Sequence, residues 1–220
     1  MSSKPTPPLF AIDAVRTLLT SIGADPNREG LLDTPRRVFQ ALAEMTAGEH
    51  EDPADHLQVN FDGGAYDEVI ALAGIPFTSV CEHHLLPFTG LASVCYLPGE
   101  VLEVPNYALR EPGERSTIPL NLVPSGKYRV VGLSKLARVV DVYARRLQMQ
   151  EQMTVQIADA LDTHLKPRGV GVLVEAAHSC MSCRGVNKTG SIMRTSVLRG
   201  AFRSNDGARA EAMEKMRMPR

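Results

Sequence analysis

The sequence predicts an α+β domain with helices and antiparallel strands segregated along the chain, and three observations carry that reading. Apolar residues recur at helical spacing through the first fifth of the chain; short apolar or alternating runs follow from Asp67 and again from Val170; a second helical stretch separates those runs. With 220 residues the chain can bury one sizeable core, and no repeat or low-complexity stretch divides it. The expected organisation is a helical segment over 1–60, a main domain over 61–205 and a polar tail over 206–220.

Leu9, Ile12, Val15, Leu19 and Ile22 set out the first helix, and the turn residues of GADPNREGLLDTP end it. Thr34 reads as an N-cap with Pro35 at the first helical position, opening a second helix with Val38, Leu42 and Met45 on one face. Val69, Ile70 and Leu72, then Leu91 to Leu97, have strand character. A Pro- and charge-rich segment from Pro98 to Lys127 precedes the apolar Val130 and Val131. Ser134 reads as the cap of a helix carrying Leu136, Val140, Tyr143 and Leu147, and Met153, Ile157, Leu161 and Leu165 continue it as a helical pair or one kinked helix. Val170, Val172 and Val174 alternate as a strand, with 192–202 as its antiparallel partner. After Asn205 the polar tail reads as a loose final helix.

The balance of 24 Lys and Arg against 25 Asp and Glu offers no global attraction to nucleic acid or to a membrane surface, so any anion site must be local. Aromatic residues make up 5% of the chain and Trp is absent, which argues against stacking platforms for nucleic acid. The N-terminal MSSKPTPPLF holds no signal-like apolar run and no window approaches a membrane span, so a cytoplasmic protein is expected.

Four Cys clustered with His read as metal or redox chemistry before a disulfide framework. Cys81 and His84 in CEHHLLPF stand three apart, so both can reach one ion from a single turn, and Cys180 and Cys183 in HSCMSCRGV form a second half-site far along the chain. Thiolates with imidazole favour zinc. Two readings stay open on these grounds. All four ligands would close a Cys3His structural site, which the spacing favours; three would leave a position for water. The closed reading leaves His83 and His178 unexplained, whereas the open one makes each an imidazole available for proton transfer to a bound substrate.

Lys135 and Arg138 fall behind Ser134 in a first turn that already presents positive partial charge, and Arg36 and Arg37 repeat the arrangement behind Thr34 and Pro35. Together with Arg184, four residues after Cys180, they suit a phosphate ligand, and a polyphosphate needs several such donors. Gln150 and Glu151 add an amide and a carboxylate, which read either as a solvated helix face or as a handle for a guanine edge.

These motifs resemble those of a known family. CEHHLLPF, GLSKLARVVDVYARRLQMQEQMT and HSCMSCRGV resemble the signatures of GTP cyclohydrolase I, and EGLLDTPRRV resembles its N-terminal helical motif, over about Gly23 to Phe202. The resemblance implies Zn2+ held by Cys81, His84 and Cys180 with an open position for water, and Cys183 as a spare thiol. It implies His83 and His178 as catalytic imidazoles, with His83 and Ser134 in the later proton transfers; Glu82 is left without an assigned role. The implied substrate is GTP, with guanine held by Gln150 and Glu151 and triphosphate by Lys135, Arg138, Arg184 and Arg37. The implied reaction is hydrolysis at C8 with His178 assisting protonation at N7, formate release, ribose rearrangement and reclosure to dihydroneopterin triphosphate. The implied fold is the tunnelling fold, an antiparallel sheet with helices packed on one side, assembled as a toroidal homodecamer with sites between subunits.

One stretch departs from the family pattern. The link from Tyr96 and Leu97 to Ser134 is longer than the family's by about two dozen residues, and loops of such length are usually functional or disordered. This insertion, about 99–131, sets Pro105, Pro112, Pro119 and Pro124 against Leu102, Val104, Ile118, Leu120 and Leu122, too apolar for a plain linker. It reads as a surface elaboration, or as a lid or docking element next to Ser134. The rival functions are a paralogue that takes a modified nucleotide or stops at the ring-opened formamide, and a non-catalytic structural-zinc protein that docks an anionic partner.

Overall fold

The computed structural model describes residues 5–58, 60–103 and 123–218. Its N-terminal part holds α1 (Leu9–Ser21), α2 (Thr34–Met45), α3 (Ala54–Leu57) and β1 (Asn60–Asp62). The long strands β2 (Ile70–Cys81) and β3 (Pro87–Leu97) follow, then β4 (Glu100–Glu103), β5 (Val123–Val131), α4 (Leu133–Ala144), β6 (Leu147–Gln148) and α5 (Gln150–Leu165). The chain continues through β7 (Gly169–His178), α6 (Ser179–Ser182), β8 (Met193–Gly200), α7 (Ala201–Ser204) and α8 (Asp206–Met216).

The main sheet has the order β6-β2-β3-β7-β8. Its long pairs are antiparallel, and β7 meets β8 from Gly169↔Gly200 to Ala176↔Met193, the pairing expected from the alternation. The expected helical pair forms as two helices, α4 and α5, because the chain between them extends and lays Leu147 and Gln148 alongside Val80 and Cys81. Leu136, Val139 and Val140 of α4 and Met153, Ile157 and Leu161 of α5 are buried in one cluster with Val94, Tyr96, Val172 and Val174 of the sheet. Burying each such side chain stabilises by about 1.5–3 kcal/mol relative to leaving it in water.

The tail is not loose. Asn205 caps α8 by accepting a 2.9 Å bond from the Ala208 N–H, and Ala212 and Met216 are fully buried with Val69, Cys95, Leu173 and Phe202. Cys95 and Leu173 alternate with the residues facing α4 and α5, so α8 adds a small layer on the opposite sheet face. The stripe of Ala208, Ala212 and Met216 at four-residue spacing is what a polar average over 206–220 conceals.

Two expected caps shift toward the N-terminus, Ser134 by two residues and Thr34 by one. Gly132 precedes α4 in extended conformation, and its carbonyl accepts from the Lys135 N–H at 2.8 Å, which puts Ser134 inside the first turn. Asp33 occupies the same place before α2, and neither helix has a side-chain cap bond.

A second sheet, β1-β5-β4, joins β1 to the two ends of the stretch read as an insertion. β5 pairs with β1 through Asn60↔Val131 and with β4 through Glu100↔Tyr128. Pro124 lies in β5 and Leu102 in β4, whereas Val104, Pro105, Pro112, Ile118, Pro119, Leu120 and Leu122 lie outside the described residues. Among the described residues no helix is long and apolar enough to cross a membrane.

Candidate metal and catalytic site

At the end of β2 the chain reverses through a turn that needs Leu85 in the left-handed region, at φ 54°. The Cys81 carbonyl accepts from the N–H groups of His84 at 3.3 Å and Leu85 at 2.9 Å, while the Cys81 N–H donates to the Leu86 carbonyl at 2.9 Å. This turn folds the His84 ring back, so that its Nδ1 lies 3.7 Å from Cys81 Sγ. Cys180 enters from α6, and the three ligand atoms all lie within 4.8 Å of one another. Tetrahedral zinc with thiolates and imidazole sets donors about 3.5–3.8 Å apart, so a small contraction suits this trio to the ion.

Among the described residues Cys183 does not join the cluster; it is exposed just beyond α6. The closed Cys3His set favoured by spacing is therefore not assembled. Burial pushes the Cys180 thiol up, and the neighbouring Cys81 adds to the shift, the behaviour of paired thiols that a cation would reverse. Arg184 Nη1 lies 3.5 Å from His84 Nε2, so this expected phosphate ligand stands at the metal cluster.

His178 is the last residue of β7, in register with Phe88 of β3. The two rings stack with centroids 4.5 Å apart and planes 3° from parallel. His178 Nε2 lies 2.8 Å from Gln150 Oε1. Gln150 is 1% exposed, and its amide nitrogen donates to the Val174 carbonyl at 3.1 Å, the Met193 carbonyl at 3.2 Å and Thr195 Oγ1 at 3.1 Å. The side chain expected on guanine is thus committed to the protein, because the first turn of α5 lies over β7 and β8. Burial lowers the His178 pKa, and the Glu151 carboxylate, exposed at the start of α5, opposes that shift. His83 points to solvent, its Nε2 3.7 Å from Glu82 Oε1.

The structure does not bring Ser134, Lys135 and Arg138 to this cluster within one chain. The Val131 N–H donates to Tyr96 Oη at 3.0 Å and ties the start of α4 to the far end of β3. Phe88 lies at the other end of that strand, and eight residues at about 3.3 Å each separate them by roughly 26 Å. The first turn of α4 carries no acidic residue, so Lys135 adds to its positive end without compensation there, while Arg138, expected in that turn, falls in the second because the helix starts at Leu133. Arg37 is exposed on α2 and shares Asp33 with Arg36, at 3.2 and 3.3 Å, which supplies the compensation missing from α4.

A family model described as GTP cyclohydrolase I matches residues 11–103 and 117–217. The chain belongs to this family. The GTP cyclohydrolase 1 of Mycolicibacterium vanbaalenii is 46% identical over 201 residues, 91% of this chain and 86% of the relative. That of Corynebacterium glutamicum is 44% identical over 207 residues, covering 94% and 92%. Among solved structures, an archaeosine synthase QueF-Like in the apo form covers 61% of this chain and 96% of its own, at 16% identity and a TM-score of 0.40. Residues 104–116, left between the two spans matched to GTP cyclohydrolase I, fall inside the stretch 99–131 set apart in the sequence.

Two residues of the site escaped the sequence reading. Phe88 stood in CEHHLLPF as an apolar tail, and its parity with Ala92, Val94 and Tyr96 further along the strand was the available signal of an inward-facing place beside the chemistry. Thr195 gave no signal, since it reaches Gln150 only through the β7–β8 pairing.

Proposed function

We propose that this chain hydrolyses GTP at C8 of the guanine ring, releases formate and recloses the product as 7,8-dihydroneopterin triphosphate, the first step of folate and pterin synthesis. The observation that carries the reading is the trio Cys81, His84 and Cys180 within 4.8 Å beside an oriented, half-buried His178. Three protein ligands of this kind suit zinc with an open position. Zinc, when bound, supplies the Lewis acidity that makes water a nucleophile at neutral pH.

The protein's own groups supply the rest. His178 exchanges a proton with the guanine imidazole nitrogen as the C8 bond breaks, and its lowered pKa keeps a neutral population available near pH 7. Exposed His83, paired with Glu82, serves the later ribose transfers together with Ser134. Glu151 accepts from guanine N1 and its amine, while Lys135 at the uncompensated start of α4 and Arg138 one turn on hold triphosphate.

The roughly 26 Å between that helix start and the metal end supports a site shared between chains, with α4 of one subunit facing the metal cluster of another. Leu9, Phe10 and Leu18 of α1 and Ile22 just after it are 61–83% exposed, the apolar surface expected of a helix that packs on a second copy. A homodecamer in the cytoplasm fits these features.

The test is incubation of the zinc-loaded protein with GTP, following formate and, after oxidation, neopterin fluorescence, with His178→Ala alongside. Wild type is expected to give both signals and the variant neither. Formate without a pterin would replace the reading with arrested chemistry, and neither signal with zinc bound would replace it with a structural metal.

A further inference from the structure

We infer that Tyr96 is a positioning residue for the phosphate end of the substrate, its hydroxyl fixing the backbone from which α4 presents Lys135. The inference rests on the reading above that Lys135 holds triphosphate.

The start of α4 has no side-chain cap bond, so the place of its first turn is set by the backbone that leads into it. Val131 ends β5 opposite Asn60 of β1, and Gly132 continues in extended conformation at φ −61° and ψ 136°. The Gly132 carbonyl accepts from the Lys135 N–H at 2.8 Å, so a shift of Gly132 is passed to Lys135. Phe61, opposite Val130 in β1, lies on the same spot: a Cβ on Gly132 would stand 3.6 Å from Phe61 Cε2 and 3.7 Å from Lys135 Cγ. An apolar ring and an alkyl stem pack there, and the ammonium is the part of Lys135 left for a ligand.

What ties this seat to the main sheet is the bond from the buried Val131 N–H to Tyr96 Oη at 3.0 Å. Tyr96 is held in turn. It pairs with Ile70 of β2 and Val170 of β7, and its ring is buried in one cluster with Val131, Leu136 and Val140. Removing the hydroxyl leaves a buried N–H without its partner, and the segment relieves that cost by moving toward water. A binding group displaced by about 1 Å can lose up to about a hundredfold in effect, so a small movement of Gly132 is enough to weaken the hold on triphosphate. The metal trio stands at the other end of β3, where this movement does not reach.

The experiment uses the zinc-loaded, full-length protein. Tyr96→Phe, which keeps the ring and removes the hydroxyl, is expected to raise KM for GTP at least about fivefold with kcat and zinc content little changed. Asn205→Ala, which loses a bond of α8 far from this seat, controls for lost stability and should leave KM unchanged. A double-mutant cycle asks whether the hydroxyl acts through Lys135. GTP dissociation constants are read by calorimetry in the His178→Ala background, where GTP is not consumed, with Tyr96→Phe, Lys135→Ala and both added. The effect of Tyr96→Phe should shrink once Lys135 is gone. An unchanged KM in Tyr96→Phe, a loss confined to kcat, or two effects that multiply in full would overturn the inference. Equal GTP binding with and without Lys135 would instead overturn the reading of Lys135 as a phosphate ligand, and leave Tyr96 no anion site to position.

Discussion

Burial pushes the Cys95 thiol up to about 12, while a bond with the Gly171 backbone works weakly against that shift. A group whose pKa rises on folding stabilises the fold below its unfolded value, near 9 for this thiol, and loses that contribution as pH rises toward the folded value. Stability should therefore fall between pH 9 and about 12 more steeply in wild type than in Cys95→Ala, as measured by urea unfolding across that range. The metal trio makes a sharper claim. Cys81→Ala and Cys180→Ala should each lose bound zinc by elemental analysis, whereas Cys183→Ala should keep it. His84 and Cys81 were legible in the sequence because a spacing of three lies within one turn. The same spacing made Cys183 look like a ligand, since covalent reach says nothing about which way a side chain faces.

Gly90 of β3 sits where the ladder to β7 is tightest. A Cβ there would collide with the Glu175 carbonyl and stand 2.7 Å from the Ala176 Cα, two residues before His178. Gly90→Ala is expected to cost about 1–3 kcal/mol, seen as a lower Tm, and to disturb the Phe88–His178 stack. Asn205→Ala should cost about 1 kcal/mol through the lost cap of α8, measurable in the same melt and without effect on zinc content. The helices α4 and α5 were readable from their apolar periodicity. Their exact starts were not, because an extended Gly132 carbonyl closes the first turn as well as a serine side chain would.

At the scale of the whole molecule the metal end and the cationic end of one chain lie on opposite sides of the sheet's length. If the site is shared, mixing Cys180→Ala chains with Lys135→Ala chains, each inactive alone, should restore activity. Random mixing in equal amounts leaves about a quarter of the sites with both intact halves, so recovery near that fraction is expected after subunit exchange and none without it. Recovery would be absent if each chain carried a complete site. The sequence by itself determined the α+β class, the metal half-sites and the paired helices, since all of these are fixed by residue type and by spacings within a few turns. Only the tertiary structure decided that His178 stacks on Phe88, that Gln150 turns inward to Thr195, and that Lys135 stands far from Cys81. Those relations depend on strand register and burial across more than forty residues of chain, and no local periodicity carries that information.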